Sequence, residues 1–210
     1  MKFLKLLPLL LIAASAHAAE HFQIRDGLPN FFKKVTTPSE EPVRISYFGG
    51  SITAGAGASD EKFCYRSLLT DWLKKKYPSA KIQPFNEAIG GTGSWLGAFR
   101  CWADVGYQRP DLVIVEFAVN DGGQPENEII ASMEGIVRQL RERTPSKPDI
   151  LFVYTMTNAQ LEEFKNGHLP VPTQCHEKVA AHYGIPGVAM SRYAADQILA
   201  GKLTPEEFAK

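Results

Sequence analysis

The sequence VRISYFGGSITAG occupies residues 43–55 and decides the fold. Apolar residues at positions 43, 45 and 47 alternate with polar residues at 44 and 46, which is the pattern of a β-strand. The pair Gly49-Gly50 then allows a tight turn, and Ser51 follows it directly. A serine in that place lies at the carboxyl end of a strand, where α/β proteins bind their ligands. The same stretch is also compatible with a strand and a glycine-rich loop without chemistry, so the rest of the chain has to decide.

Strands and helices alternate along the rest of the chain. Apolar runs predict further strands near residues 81–86, 112–119, 150–155 and 188–190. Apolar residues at helical spacing predict helices near 62–76, 94–106, 127–144, 173–183 and 193–200, with a polar loop from about 156 to 172. This alternation predicts an α/β fold, namely a three-layer, doubly wound parallel sheet of about five strands. We expect the aromatic residues of the helix near 94–106, which are Trp95, Phe99 and Trp102, to pack in the core rather than to contact a cofactor.

The first 18 residues have the pattern of a secretory signal peptide. Lys2 and Lys5 precede an apolar run that ends at Ala14, and residues 16–18 form the A-x-A pattern of a cleavage site. The run is shorter than the roughly 20 apolar residues that a membrane-spanning helix needs. We therefore expect no stable membrane anchor, a secreted or periplasmic location, and one domain over residues 19–210.

Composition and charge exclude some classes of partner. The chain has 23 basic and 23 acidic residues and a formal net charge of +0, so no basic excess attracts nucleic acid. The three cysteines are compatible with two arrangements in an oxidising compartment. Cys64 could pair with Cys101, or all three, including Cys175, could be buried free thiols.

Three short loops follow three of the predicted strands. They are Gly49-Gly50-Ser51, Gly90-Gly91-Thr92 and Val119-Asn120-Asp121. Since the carboxyl ends of parallel strands lie at one edge of a sheet, we expect the three loops to meet. Acyl transfer needs a nucleophile and hydrogen-bond donors for the oxyanion of the tetrahedral intermediate. The main-chain N–H groups of Ser51 and Gly91 and the side-chain amide of Asn120 are candidate donors.

These loops resemble the sequence blocks of the SGNH/GDSL hydrolase family. The segment Gly49-Gly50-Ser51-Ile52 resembles the first block, although Gly50 stands where many members carry aspartate. Asn86 with Gly91 five positions later resembles the second block, and residues 116–121 resemble the third. The resemblance extends from about residue 43 to the C-terminus, and it implies a flavodoxin-like arrangement of the sheet.

The resemblance also implies roles for three residues. Ser51 is implied as the nucleophile, and Ser51, Gly91 and Asn120 are implied as the oxyanion hole. The family consists of ester hydrolases that use no metal, so the resemblance implies no cofactor.

The fourth block of the family, D-x-x-H, supplies the general base and the carboxylate that orients it, and this chain lacks it. None of the five histidines has an aspartate or glutamate three positions before it. His168 is the only internal candidate for the base, because it lies in the loop after the fourth strand, at the expected active-site edge. His176 and His182 share one predicted helix, so we expect them at the surface or in packing.

The last residues predict the start of a helix. Thr204 fits the N-cap, Pro205 the first helical position and Glu207 the third, and the sequence stops at Lys210. We therefore expect a C-terminally truncated domain whose Asp–His pair would follow Lys210. Without that pair, we expect little activity from the 210-residue chain.

The sequence favours a secreted serine ester hydrolase that removes acetyl or other short acyl groups from carbohydrate. A lysophospholipase- or thioesterase-type acylhydrolase is an alternative that the resemblance permits. A noncatalytic carbohydrate-binding relative is another, in which Trp95, Trp102 and Arg100 would line a sugar cleft. The expected partner is a small-molecule or polysaccharide ester.

Overall fold

A six-stranded sheet lies at the centre of the computed structural model, which describes residues 21–208. Its strands are β1 (Phe22–Gln23), β2 (Val43–Gly49), β3 (Ile82–Asn86), β4 (Leu112–Glu116), β5 (Asp149–Tyr154) and β6 (Gly187–Ala189). The strand order is β1-β6-β5-β4-β2-β3, and every neighbouring pair is parallel except β1 with β6. Without β1 this is the flavodoxin-like order, so the predicted doubly wound α/β fold is confirmed.

Helices connect the strands and cover both faces of the sheet. They are α1 (Pro29–Thr36), α2 (Ser51–Ala54), α3 (Tyr65–Lys76), α4 (Ser94–Asp104), α5 (Glu126–Arg138), α6 (Leu161–Lys165), α7 (Val171–His182), α8 (Met190–Leu199) and α9 (Pro205–Phe208). A π-helical turn, Gln139–Arg143, continues α5.

Two apolar cores lie on opposite faces of the sheet, because the side chains of each strand alternate between the faces. In β4, Val113 and Val115 belong to the core under α4, α5 and α7. Leu112 and Ile114 belong to the core under α1 and α3. Burial on both faces explains why this strand is a continuous apolar run.

The structure differs from the predicted elements in four places. The sequence does not predict β1, because it has only two residues and both are exposed. Helix α1 lies in the lead-in before β2, and α6 lies in the segment that was expected to be a polar loop. The strand predicted over 112–119 ends at Glu116, because the chain turns there and the N–H of Asn120 donates to the carbonyl of Phe117 at 2.9 Å.

The expectation that Trp95 and Phe99 pack in the core is wrong. Their side chains are 52% and 80% exposed, and their ring centroids lie 6.1 Å apart on the outer face of α4. Helix α4 packs inwards through small residues instead. A Cβ on Gly97 would lie 2.8 Å from the ring of Phe117, so the helix approaches the sheet too closely for an inward-facing tryptophan.

The three cysteines are free and buried, so the expected pairing of Cys64 with Cys101 is not formed and the alternative of three thiols is confirmed. Cys101 packs in the core under α4, where burial raises the pKa of its thiol to about 12. Cys64 lies beside Ser67 of α3, on the other face of the sheet. The sheet itself therefore separates the two sulfur atoms.

The predicted signal peptide, residues 1–18, lies outside the described residues. From residue 21 to residue 208, no helix combines the length and the apolar character that crossing a bilayer requires. Secretion stays a prediction of the sequence.

Candidate active site

The turn between β2 and α2 presents Ser51 as the first residue of a short helix. Neither glycine before it has room for a side chain. A Cβ on Gly49 would lie 2.4 Å from Oγ1 of Thr53, and a Cβ on Gly50 would lie 2.1 Å from Oδ1 of Asn120. Close packing around the serine therefore requires the glycine pair.

The second loop runs alongside this turn. Main-chain hydrogen bonds continue the pairing of β2 and β3 beyond the ends of the strands, with the N–H of Ile89 donating to the carbonyl of Gly49 at 3.1 Å. As a result, the position of a Cβ on Gly90 would lie 3.7 Å from Cβ of Ser51. Gly91 follows with a φ of +74°, a conformation that favours glycine.

The third loop closes the site from the other side. Asn120 follows β4, and its side chain lies directly against the main chain of Gly50. The carbonyl of Thr92 approaches the same glycine, 3.3 Å from the position of its missing Cβ. All three loops predicted from the sequence therefore meet around Gly50.

The site lies where the strand order reverses. β2 pairs with β3 on one side and with β4 on the other, and Ser51 and Asn120 follow the carboxyl ends of β2 and β4. Open α/β sheets bind ligands in the crevice that forms at this position. Within residues 21–208 the hydroxyl of Ser51 and the side-chain amide of Asn120 make no hydrogen bond, so both are available to a substrate.

The described histidines give Ser51 no partner. His168 is exposed just after α6, and no hydrogen bond joins it to Ser51 in residues 21–208. His21 bonds to Asp196 at 2.8 Å, and His182 stacks edge-on against Tyr183.

A buried histidine–aspartate pair lies behind the third loop. Nε2 of His176 lies 2.8 Å from Oδ2 of Asp121, and both side chains are 1% exposed. The other oxygen of Asp121 accepts the N–H of Ser94 at 2.7 Å. This carboxylate, next to Asn120, therefore connects the start of α4, the third loop and α7.

The expectation that His176 is a surface or packing residue is half right. The residue is buried among the rings of Phe152 and Tyr154, but it is also a hydrogen-bonding partner of the site. The burial of His176 is predictable from the sequence, because it lies at helical spacing from Pro172 and Val179, which are buried on the same side of α7. The pairing with Asp121 is not, because 55 residues separate the two.

Replacing His176 with leucine is expected to lower the free energy of unfolding by about 1–3 kcal/mol, because a buried carboxylate loses a partner. Urea denaturation followed by circular dichroism measures the effect. The matched control is His182→Leu, which removes an exposed imidazole from the same helix and should change stability by less than about 0.5 kcal/mol. Equal midpoints for the two variants would contradict a structural role for the pair.

An open, mostly apolar groove of about 950 Å³ lies beside α2, the short helix that begins at Ser51. Its lining includes Ile52 and Ala56 after the serine, Leu68 of α3, Met190 of α8 and Phe208 of α9. The last described helix therefore contributes to the wall of this groove.

Comparisons with known proteins show a family and two relatives to which the chain is similar. A model of the GDSL-like lipase/acylhydrolase family matches residues 47–206. An acetylxylan esterase of Xylanibacter ruminicola is 29% identical over 133 residues, which are 58% of this chain and 26% of that protein.

Solved structures show the same fold. A two-domain esterase active on acetylated mannans superposes with a TM-score of 0.75 and 32% identity, over 90% of this chain and 48% of the other. An acetyl xylan esterase has a TM-score of 0.63, covering 79% of this chain and 85% of the other, and at 19% identity it shows the fold alone. The chain spans less than half the length of the two-domain esterase and of the curated relative. Since the family model covers residues 47–206, this chain belongs to the GDSL-like lipase/acylhydrolase family, the SGNH hydrolases.

Proposed function

We propose that this protein is a secreted serine ester hydrolase that removes acetyl or other short acyl groups from carbohydrate. Ser51 is the nucleophile, and the N–H groups of Ser51 and Gly91 with the side-chain amide of Asn120 form the oxyanion hole. The observation that carries this proposal is the meeting of the three loops around Gly50, where the serine hydroxyl and the asparagine amide form no hydrogen bond to any other described residue.

The proposed reaction has two steps. Oγ of Ser51 attacks the ester carbonyl carbon while a base takes its proton, and the carbonyl oxygen becomes an oxyanion held by the three donors. The C–O bond to the sugar then breaks, and the sugar oxygen takes the proton. Water attacks the acyl-serine in the same way and releases the carboxylic acid. Each donor of this kind is worth about 10²–10³ in rate.

The base in this proposal comes from polypeptide that follows Lys210. Support comes from α9, where the N–H of Glu207 donates to Oγ1 of Thr204 at 3.1 Å and the N–H of Thr204 donates to Oε2 of Glu207 at 2.9 Å. This reciprocal capping box is typical of a helix start, as the sequence predicts for Thr204, Pro205 and Glu207. The apolar groove beside it offers the surface on which further polypeptide would pack.

Short acyl groups on polysaccharide are the proposed substrates because two of the similar proteins are described as an acetylxylan esterase and as an esterase active on acetylated mannans. The apolar groove favours one rival. If it is open in the complete enzyme, its 950 Å³ would hold a long acyl chain, as a lysophospholipase or thioesterase requires. Secretion rests on the pattern of residues 1–18.

The decisive comparison is between the 210-residue chain and the same chain extended by its natural downstream residues. We expect the extended chain to hydrolyse p-nitrophenyl acetate faster by up to about 10⁶, since loss of the base costs a serine hydrolase about that much. Hydrolysis is measured by release of p-nitrophenol, and circular dichroism checks that both proteins fold.

Two outcomes contradict this account. A natural stop codon directly after Lys210 would exclude a base from downstream polypeptide. Full turnover by the 210-residue chain would mean that the base lies within this chain, and His168→Ala would then be the next variant to measure.

A rate of p-nitrophenyl octanoate hydrolysis well above that of p-nitrophenyl acetate would favour the long-chain acylhydrolase. A folded, extended chain that binds acetylated xylan without turnover would be a noncatalytic relative.

A further inference from the structure

A buried carboxyl group lies under the nucleophile helix. Glu116, the last residue of β4, is 1% exposed. The hydroxyl of Thr155 donates to its Oε1 at 2.8 Å, and the hydroxyl of Thr53 donates to its Oε2 at 3.1 Å. The proposed ester hydrolysis uses no group of this kind.

These two bonds connect the nucleophile helix to a neighbouring strand. Thr53 belongs to α2, two residues after Ser51, and Thr155 directly follows β5. The hydroxyl of Thr53 also lies 2.8 Å from that of Tyr65 in α3. The short helix α2 has a single turn, so its orientation depends on such contacts.

The surroundings of Glu116 oppose a negative charge. The titratable groups that face it are Asp121, from the loop after β4, and Tyr65 from α3. The charge of Asp121 helps to raise the pKa of Glu116, and the charge of Glu116 helps to raise the pKa of Tyr65. Arg66 donates to the main-chain carbonyl of Thr53 at 3.3 Å and has its charge partner in Glu61. Burial is the main cause that raises the pKa of Glu116 to about 7, and the two threonine hydroxyls oppose the shift.

The hydrogen bonds can also be satisfied by the neutral group. A protonated carboxyl has one O–H donor and still accepts, and a threonine hydroxyl can turn from donor to acceptor. Thr53 would then accept from Glu116 and donate to Tyr65. A glutamine side chain offers a donor and an acceptor in the same places, without a charge at any pH.

We propose that Glu116 is a positioning residue for Ser51: its carboxyl connects α2 to the end of β5, and ionisation weakens this connection because the buried charge forms no ion pair within residues 21–208. The catalytic part of this inference rests on the proposed function, whereas its effect on stability does not. The group is protonated in the folded protein at a pH where it is ionised in the unfolded chain. The stability that it contributes is therefore complete below pH 4.5, the ordinary value of a glutamate, and is lost as the pH rises to about 7.

The test compares wild type with Glu116→Gln and with the exposed control Glu206→Gln. The urea midpoint of wild type and of the control should fall between pH 5 and pH 8, and the fall should be clearly smaller for Glu116→Gln. In the active, base-bearing enzyme, kcat of wild type should decline above pH 7, approaching about tenfold per pH unit, with KM little changed. Glu116→Gln should lack this alkaline decline. Identical pH dependence of the midpoints in all three proteins would overturn the inference.

A second pair of variants tests the inference if Glu116→Gln does not fold. Thr155→Val removes a hydroxyl that stabilises the ionised carboxyl, so the loss of stability and of kcat should move to higher pH. Thr155→Ser keeps a hydroxyl and should restore the wild-type profile. If the pH dependence of stability and of kcat in Thr155→Val is the same as in wild type, the proposed role of Glu116 is wrong. If no extended chain hydrolyses esters, the proposed function fails, and the midpoints still decide whether Glu116 ionises as inferred.

Discussion

Replacing Ser51 with alanine in the base-bearing enzyme is expected to lower kcat for p-nitrophenyl acetate by about 10⁶. In the proposed reaction the variant removes the atom that forms the acyl-enzyme, while the N–H of residue 51 and the other proposed donors stay in place. KM should change little, because binding does not depend on the hydroxyl. Steady-state kinetics with p-nitrophenyl acetate measures both constants.

The matched control for this variant is Ser59→Ala, which removes an exposed hydroxyl eight positions downstream on the rim of the apolar groove. It should retain wild-type kinetics. If Ser51→Ala is folded and its kcat is within tenfold of the wild-type value, another group attacks the ester. In that case the meeting of the loops around Gly50 would have a different purpose.

Replacing Asn120 with alanine is expected to lower kcat by about 10²–10³, because one of the proposed donors to the oxyanion is lost. The effect should fall on kcat rather than on KM, since the donor acts on charge that develops only in the transition state. Stability should change little, because the side-chain amide has no hydrogen-bond partner in residues 21–208.

Asn166→Ala is the control for Asn120, because it removes an exposed asparagine after α6. Equal activity of Asn120→Ala and Asn166→Ala would show that Asn120 is not a donor to the oxyanion. A large loss of stability in Asn120→Ala would instead indicate that its contact with Gly50 holds the third loop.

Much of the fold follows from local pattern. The continuous apolar run of β4 indicates burial on both faces, and the alternation of strands and helices then leaves few arrangements for a parallel sheet. The meeting of the loops after β2, β3 and β4 follows from the same argument, since parallel strands end at one edge. β1 and α1 escape prediction because their short, partly exposed sequences carry little apolar signal.

The remaining features of the site depend on contacts between distant residues. His176 reaches Asp121 across 55 positions, and Glu116 meets hydroxyls that lie 63 and 39 positions away. Neither pairing is visible in the periodicity of the sequence, because the partners lie on separate elements that meet only when the protein folds. Trp95 and Phe99 mislead for the opposite reason: their spacing is helical, but small residues form the buried side of α4.

The contact between Gly50 and Asn120 makes these two positions interdependent in evolution and in engineering. Restoring the aspartate that many SGNH hydrolases carry at position 50 would drive its Cβ into the asparagine side chain unless that side chain adopts another rotamer. The effects of substitutions at the two sites should therefore be non-additive, so the effect of a double variant cannot be obtained by adding the effects of the two single variants. A library that explores the turn before Ser51 has to vary both codons together.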